Sequence, residues 1–253
     1  MGKRRKTKKS KRLRKIILTV CLVIIGVLKV IGIIDTDEGE SVSSQNEFSK
    51  SLVEASPESI PDFSGEDYVV LNDNQPMFIE ADFENIKGEH YSNLDWLGRC
   101  GTAIAMLHQS MMPTEERESI GQVKPSGWNQ AKYEGYVNSS PPYLYNRCHL
   151  IAYALTGENA NEENLITGTR YMNATTMLPF EMEVMEYLDH SENHVLYRVT
   201  PYFKEDELLA RGVEMEAYSV EDEGEGICFH VFVYNYQPGI VLDYEIGESW
   251  IEE

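Results

Sequence analysis

Residues 145–173 read YNRCHLIAYALTGENANEENLITGTRYMN, a stretch in which an arginine and a histidine stand two positions apart, ahead of several asparagines. The pattern of residues 143–151, YLYNRCHLI, predicts a β-strand. Because successive side chains of a strand point to opposite faces, Arg147 and His149 share one face and the residues between and beside them face the other way. The stretch therefore predicts a guanidinium and an imidazole that point into the same space.

These two side chains, with two that follow, match the needs of phosphodiester hydrolysis. The neutral imidazole of His149 takes a proton from water near pH 7, and the forked donors of Arg147 match phosphate oxygens. The amide oxygen of Asn173 is a hard ligand that suits Mg²⁺, and the Glu181 carboxylate is placed to bind the metal's waters. The set predicts metal-assisted hydrolysis. The pattern alone also leaves a structural interpretation open, since the asparagines of residues 157–164 are typical of turns.

Residues 145–181 resemble the active-site region of the DNA/RNA non-specific endonuclease family. The family's signature is Asp-Arg-Gly-His followed, two to three dozen residues on, by a metal-binding Asn. Here the signature stands as Asn146, Arg147, Cys148 and His149, with an asparagine 24 positions further along. Further blocks resemble the secreted or membrane-anchored Gram-positive branch, which includes DNA-entry nucleases: residues 94–128, 194–203 and 231–239. The resemblance covers roughly Asp67 to Tyr244.

The resemblance implies a ββα-metal nuclease core on a central, mainly antiparallel sheet, with one Mg²⁺ ion and Mn²⁺ as a substitute. It implies these roles for six side chains: His149 as general base, Arg147 as phosphate contact, Glu181 as the group that orients metal-bound water, Asn173 as metal ligand, and Asn164 and Arg170 as nucleic-acid contacts. Two positions depart from the family pattern, because Asn146 replaces the usual Asp and Cys148 the usual Gly. On the strand, both face away from the catalytic pair, so we expect a change of support and not of chemistry.

The surrounding sequence predicts an α+β domain. Residues 68–79 read as a strand broken by a turn, and residues 99–112, rich in Ala, Met and Leu, as a short buried helix. Residues 178–190 have helical spacing, with Pro179 suited to a first turn. Three strand-like runs follow, at residues 193–203, 207–221 and 226–238, and the last alternates in a way that predicts a strand covered on both faces.

The N-terminal part of the chain predicts a membrane anchor. Residues 1–15 are strongly basic, and residues 16–34 form an apolar run of 19 positions interrupted by Lys29 alone. About 20 apolar residues span a bilayer, and a cationic flank marks the cytoplasmic side. We therefore expect a single-pass signal anchor with the rest outside the cell, the alternative being secretion after cleavage. Residues 35–66 are acidic and Ser-rich, as in a linker, and residues 67–253 form the endonuclease domain.

The charge of the chain limits the function that these motifs predict. After Lys29 the chain holds 11 basic and 42 acidic residues, a formal charge of −31, which disfavours binding to polyanions. We expect a Mg²⁺-dependent, sequence-non-specific endonuclease that cuts DNA, and RNA as a second substrate, outside the cell. The alternatives are a non-catalytic surface module of the same fold that binds DNA or a partner protein, and a secreted effector. The sequence identifies no protein partner.

Overall fold

A six-stranded antiparallel sheet is the centre of residues 60–253, the part of the chain that the computed structural model describes. Its strands are β1 Tyr68–Val70, β2 Glu89–Tyr91, β3 Ala103–Leu107, β6 Val195–Tyr202, β7 Gly212–Ser219 and β8 Cys228–Tyr234. They lie in the order β1-β8-β7-β6-β3-β2, and every neighbouring pair is antiparallel. The predicted α+β class and antiparallel sheet are confirmed, as are the three C-terminal strands.

The prediction of a short buried helix at residues 99–112 is wrong, because this segment contains strand β3. Ala103 pairs with Val199 on one side and with Tyr91 on the other, so β3 lies between two partners in the sheet. Four of its five side chains are fully buried. A strand covered on both faces reads as a continuous apolar run, which periodicity alone does not distinguish from a buried helix. The regular helix before β3 is short, α1 Glu80–Asn85.

A separate two-stranded hairpin carries the motif region. Strands β4 Tyr145–His149 and β5 Leu165–Thr169 pair antiparallel, and a short helix, α2 Tyr153–Thr156, lies in the connection between them. A π-helical turn, Met172–Thr176, leads directly from β5 into α3 Leu178–Asp189. Pro179 stands in the first turn of α3, as the sequence predicted. The motif region is therefore built from two antiparallel strands followed by a helix.

The two faces of the central sheet are buried in different ways. One face packs its apolar side chains against the hairpin and α3, through residues such as Cys148, Ile166 and Val184. The other face presents Arg198 and Glu216, fully buried and joined by a 2.6 Å ion pair, to the segment of residues 72–86 that crosses it. The hydrophobic face therefore positions the hairpin, and the charged face fixes the segment that precedes β2.

Strands β9 Ile240–Leu242 and β10 Ser249–Ile251 form a second hairpin near the C-terminus. At the other end of the described chain, the Phe63 ring packs 4.5 Å from that of Tyr236, centroid to centroid. No helix among residues 60–253 has the length and apolar content needed to cross a membrane. The predicted anchor, residues 16–34, lies outside the described residues.

Candidate active site and nucleic-acid groove

A groove of about 580 Å³ opens between the β4–β5 hairpin and the segment of residues 117–130. Arg147 from β4, Arg170 from the end of β5 and Asn173 from the π-helical turn all line it. The fold thus brings three of the residues that the sequence selected into one space. The other residues lining the groove are Arg117, Ile120, Trp128, Gln130, Tyr143, Tyr145 and Asn146.

The arginines of the described chain divide into two groups by their partners. Away from the groove, each has a carboxylate within ion-pair distance: Arg99 with Asp95, Arg198 with Glu216 and Arg211 with Glu207. The three in the groove, Arg117, Arg147 and Arg170, have no carboxylate partner within residues 60–253. In so acidic a chain, unpaired guanidinium groups in one groove create a local positive potential that suits a polyanion.

His149 lies at the end of β4, buried, with both ring nitrogens engaged. One nitrogen, Nε2, lies 2.8 Å from the carbonyl oxygen of Asn159, and Nδ1 lies 3.2 Å from a guanidinium nitrogen of Arg117. Because a carbonyl oxygen can only accept, Nε2 carries the proton and Nδ1 presents its lone pair towards the groove-lining Arg117. The backbone carbonyl therefore selects the tautomer in which Nδ1 is the basic atom.

The surroundings of His149 keep its ring neutral. Burial is the main cause that lowers its pKa to about 4, and the charge of Arg117 lowers it further, against the opposing effect of the Asn159 hydrogen bond. Arg117 was not selected from the sequence, although it is an isolated cation among the glutamates of residues 115–118. Its role depends on a contact across 32 residues, which no local pattern contains.

Arg147 holds the segment that faces it. Its Nε donates to the carbonyl of Val123 and a terminal nitrogen donates to the carbonyl of Gly121 at 2.7 Å, while its guanidinium stacks 4.2 Å from the Trp128 ring centroid. Two donors of the fork are thus used for positioning, and the remaining edge lines the groove. Arg147 and His149 both contact the segment of residues 117–123, which agrees with their predicted common face.

Asn173 and Glu181 are the groups suited to a hard cation. The amide of Asn173 is half-buried in the groove and has no hydrogen-bond partner within the described chain. Glu181, in the first turn of α3, is 9% exposed and has no cation at ion-pair distance among residues 60–253. Burial raises the pKa of Glu181 to about 7. The amide oxygen of Asn173 is a hard ligand in the groove that suits Mg²⁺ or Mn²⁺, whereas Glu181 is not among the residues that line the groove and its charge acts on the buried Cys148 and Tyr197.

The two residues expected to contact nucleic acid differ in their surroundings. Arg170 lines the groove, and its backbone nitrogen donates to the Leu144 carbonyl at 2.6 Å, which fixes it beside β4. Asn164 is fully buried, with Oδ1 accepting from the Ile151 nitrogen at 2.9 Å and Nδ2 donating to the Ile151 carbonyl at 3.0 Å. Its side chain closes the loop between the hairpin strands, so the structure brings Arg170, and not Asn164, to the groove.

The two departures from the family signature lie in different environments. Cys148 is buried in the core and faces away from Arg147, as expected. It occupies space over Gly168, where an added Cβ would lie 2.8 Å from the Cys148 Cβ. Asn146, in contrast, is half-buried and lines the groove beside Arg147. The change from Gly to Cys is therefore one of packing, whereas Asn146 adjoins the chemistry.

A second group of potential metal ligands lies on the charged face of the sheet. The ligand atoms of Glu214, Glu216 and His230 are within 4.8 Å of one another, and all three side chains are buried. Each already has a partner: His230 Nε2 lies 2.6 Å from Glu214, and Arg198 lies 2.6 Å from Glu216. These pairs account for the cluster as a network of buried charges, which leaves the groove as the better candidate for a catalytic cation.

The chain is similar in sequence and in overall structure to known nucleases. A model of the DNA/RNA non-specific endonuclease family matches residues 81–221. NucA from Streptococcus agalactiae with magnesium bound is 27% identical, with a TM-score of 0.66 over 82% of this chain and 96% of that one. The metal-free form of NucA is 25% identical, with a TM-score of 0.63 over 86% and 99%. Sda1 nuclease with a bound zinc ion is 25% identical, with a TM-score of 0.60 over 74% and 97%.

Proposed function

Because this chain belongs to the DNA/RNA non-specific endonuclease family, and is a metal-dependent nuclease, we propose that its groove hydrolyses phosphodiester bonds with His149 as the general base and one Mg²⁺ ion held by Asn173. DNA is the main substrate and RNA a second one. Cleavage is independent of sequence, since the charged groups of the groove match the phosphate backbone and not the base edges.

The observation that carries this proposal is the group of unpaired arginines. Arg117, Arg147 and Arg170 line one groove, and no carboxylate of residues 60–253 lies within ion-pair distance of them, so their charges are not neutralised by a neighbour and are available to a ligand. The acidic remainder of the chain repels a polyanion from other surfaces. Binding is therefore restricted to the groove and is weakened by salt.

The donor set of the groove supports a single hard divalent cation. NucA has been solved with magnesium and Sda1 with zinc, so related nucleases accept different ions. In this chain, the amide oxygen of Asn173, which lines the groove, is the proposed protein ligand. The carboxylate of Glu181, in the first turn of α3, is the proposed group that orients the metal's water. When bound, the cation would offset the negative charge that develops on the phosphate.

His149 is the proposed general base, and Arg117 is the proposed contact to a phosphate oxygen. Nδ1 of His149 takes a proton from water as the water oxygen forms a bond to phosphorus and the bond from phosphorus to the leaving oxygen breaks. In the structure, Arg117 lies 3.2 Å from Nδ1. When Arg117 turns from His149 to a phosphate oxygen, it frees the lone pair and raises the basicity of the ring, since its charge no longer lowers the pKa.

We also propose that residues 16–34 anchor the chain in the cell membrane with the nuclease domain outside. Their 19-residue length and the basic residues 1–15 before them support this orientation. Secretion after cleavage of the same segment is the alternative. Protease treatment of intact cells tests the placement, because an external domain is digested without lysis.

A digestion assay tests the proposed activity directly. Purified protein is incubated with circular DNA, linear DNA and RNA in Mg²⁺ or in EDTA, and the products are sized on a gel. We expect Mg²⁺-dependent shortening of circular and linear DNA, and a loss of about 10² to 10⁴ in rate for His149→Ala. A non-catalytic module would shift the DNA without shortening it. Undiminished cutting by a folded His149→Ala variant would remove His149 as the base.

A further inference from the structure

The aromatic residues that line the groove differ in how far their rings are exposed and in what contacts them. Tyr145 is 2% exposed and donates its hydroxyl to the Gly247 carbonyl at 3.0 Å, so its ring belongs to the core. Trp128 is covered by the guanidinium of Arg147, 4.2 Å from its ring centroid. Tyr143 differs from both, because it is 41% exposed and its hydroxyl has no hydrogen-bond partner within residues 60–253. Its ring is exposed in the groove, and the group that lies against it is the ammonium of Lys132.

Tyr143 is also associated with a cation. The ammonium of Lys132 lies 4.7 Å from the centroid of its ring, and the two residues are antiparallel bridge partners. Lys132 is exposed and has no carboxylate within ion-pair distance in the described chain. A lysine of this kind can leave the ring for a nearby phosphate at little cost, because no ion pair has to be broken.

The distance of Tyr143 and Lys132 from Arg147, the proposed phosphate contact, limits which part of a bound strand they can reach. Tyr143 precedes Arg147 by four residues in the sequence, so the Cα atoms of the two residues are at most about 14 Å apart. Stacked nucleotides advance about 3.4 Å each along a strand. A strand whose phosphate lies at Arg147 therefore reaches Tyr143 with a base only a few nucleotides away.

From this geometry, and resting on the proposed nuclease function, we propose that Tyr143 and Lys132 form a stacking subsite for an unpaired nucleobase, so that the groove binds single-stranded nucleic acid more tightly than duplex. In a duplex, both faces of each base are covered by neighbouring bases and only the edges face the grooves. An unpaired base presents a face, which Tyr143 stacks against while Lys132 pairs with the adjacent phosphate. Stacking of this kind does not depend on base identity, which agrees with cleavage independent of sequence.

Steady-state cleavage of a labelled oligonucleotide and of its duplex by the full-length chain tests the subsite. Removal of one stacking side chain costs about 1 to 3 kcal/mol, so we expect Tyr143→Ala to raise KM for the single strand roughly 5- to 150-fold. The KM for the duplex should change by less than about threefold, and kcat should be retained. Tyr143→Phe keeps the ring and should therefore restore the low KM for the single strand that Tyr143→Ala loses. Tyr202→Ala removes a comparably exposed tyrosine, 38%, outside the groove and serves as the matched control.

A single abasic nucleotide, moved stepwise along the oligonucleotide, locates the subsite independently. The unmodified chain should cut less at the bond a fixed few nucleotides from the abasic position, and Tyr143→Ala should lose this dependence. Unchanged KM in Tyr143→Ala, or an equal rise for duplex and single strand, would overturn the subsite while leaving the nuclease function in place. Failure of the unmodified chain to cut either substrate in Mg²⁺ would instead overturn the proposed function.

Discussion

Arg117 places a guanidinium nitrogen 3.2 Å from Nδ1 of His149, the ring atom whose lone pair the Asn159 carbonyl leaves available. A cation from one segment thus covers the base of another. The same cation lines the groove, where a phosphate would compete for it. The contact therefore links substrate binding to the basicity of the ring.

Substitution of Arg117 should change basicity and rate in opposite directions. In Arg117→Ala the pKa of His149 should rise above about 4, because a nearby positive charge no longer opposes protonation. The rate of cleavage should nevertheless fall, by about 10²-fold or more, because a charge that stabilises the transition state is lost. NMR titration of the imidazole in metal-free protein and digestion kinetics measure the two effects. Arg99→Ala, which removes an arginine paired with Asp95, should change neither.

Substitution of two asparagines of the motif region should have different effects, one on metal binding and the other on the free energy of unfolding. Asn173→Ala should abolish or weaken Mg²⁺ and Mn²⁺ binding in calorimetry while leaving the free energy of unfolding nearly unchanged, because its amide has no internal partner in the described chain. Asn164→Ala should lower the free energy of unfolding by about 1 to 3 kcal/mol for each buried Ile151 group left unpaired. Metal binding that persists unchanged in Asn173→Ala would eliminate it as the ligand.

Glu181 should make the metal-free protein less stable as the pH rises. Its pKa of about 7 in the folded chain exceeds the ordinary value of 4.5, so the folded state holds the proton more tightly. The associated stability is fully present below pH 4.5 and is lost as the pH rises through 7. Glu181→Gln should remove this loss, a gain of about 3 kcal/mol at pH 8 relative to the unmodified chain. Urea unfolding in EDTA at pH 5 and pH 8 measures it.

The neighbouring Glu183 provides the control for that measurement, since it is exposed on the same helix. Glu183→Gln should follow the pH dependence of the unmodified chain. If the free energy of unfolding of Glu181→Gln depended on pH as it does in the unmodified chain, the Glu181 carboxylate would not be the source of the lost stability.

Arg170 should contribute one phosphate contact to the salt dependence of binding. In Arg170→Ala the slope of log Kd against log salt, measured on duplex DNA in EDTA, should decrease by about 0.9. Arg211, which is paired with Glu207 outside the groove, is the matched control, and Arg211→Ala should leave the slope unchanged. An identical slope in both variants would exclude Arg170 from the phosphate path.

Much of the fold follows from local patterns in the sequence. The β4 strand, the helix at Leu178–Asp189 and the three C-terminal strands were predicted from their local residue patterns. The β3 strand was missed because it is buried on both faces and its Ala, Met and Leu residues are typical of helices, whereas the equally buried β6 and β8 are rich in Val, Tyr and Phe. The environment of Asn164 was missed for a related reason, since an asparagine in a polar loop gives no indication that its amide is buried.

By itself, the sequence predicted a histidine and an arginine two positions apart on a strand, followed by an asparagine and by a glutamate on a helix. Local periodicity is sufficient for the strand and the helix, whereas the proposed roles of these four residues rest on the resemblance to the family. Only the tertiary structure decided that Arg117 covers His149 and that Arg147 holds the opposite wall of the groove. It also decided which arginines among residues 60–253 lack carboxylate partners there. These relations join residues far apart in the chain, and ion pairs depend on distance in space, which composition and spacing do not contain.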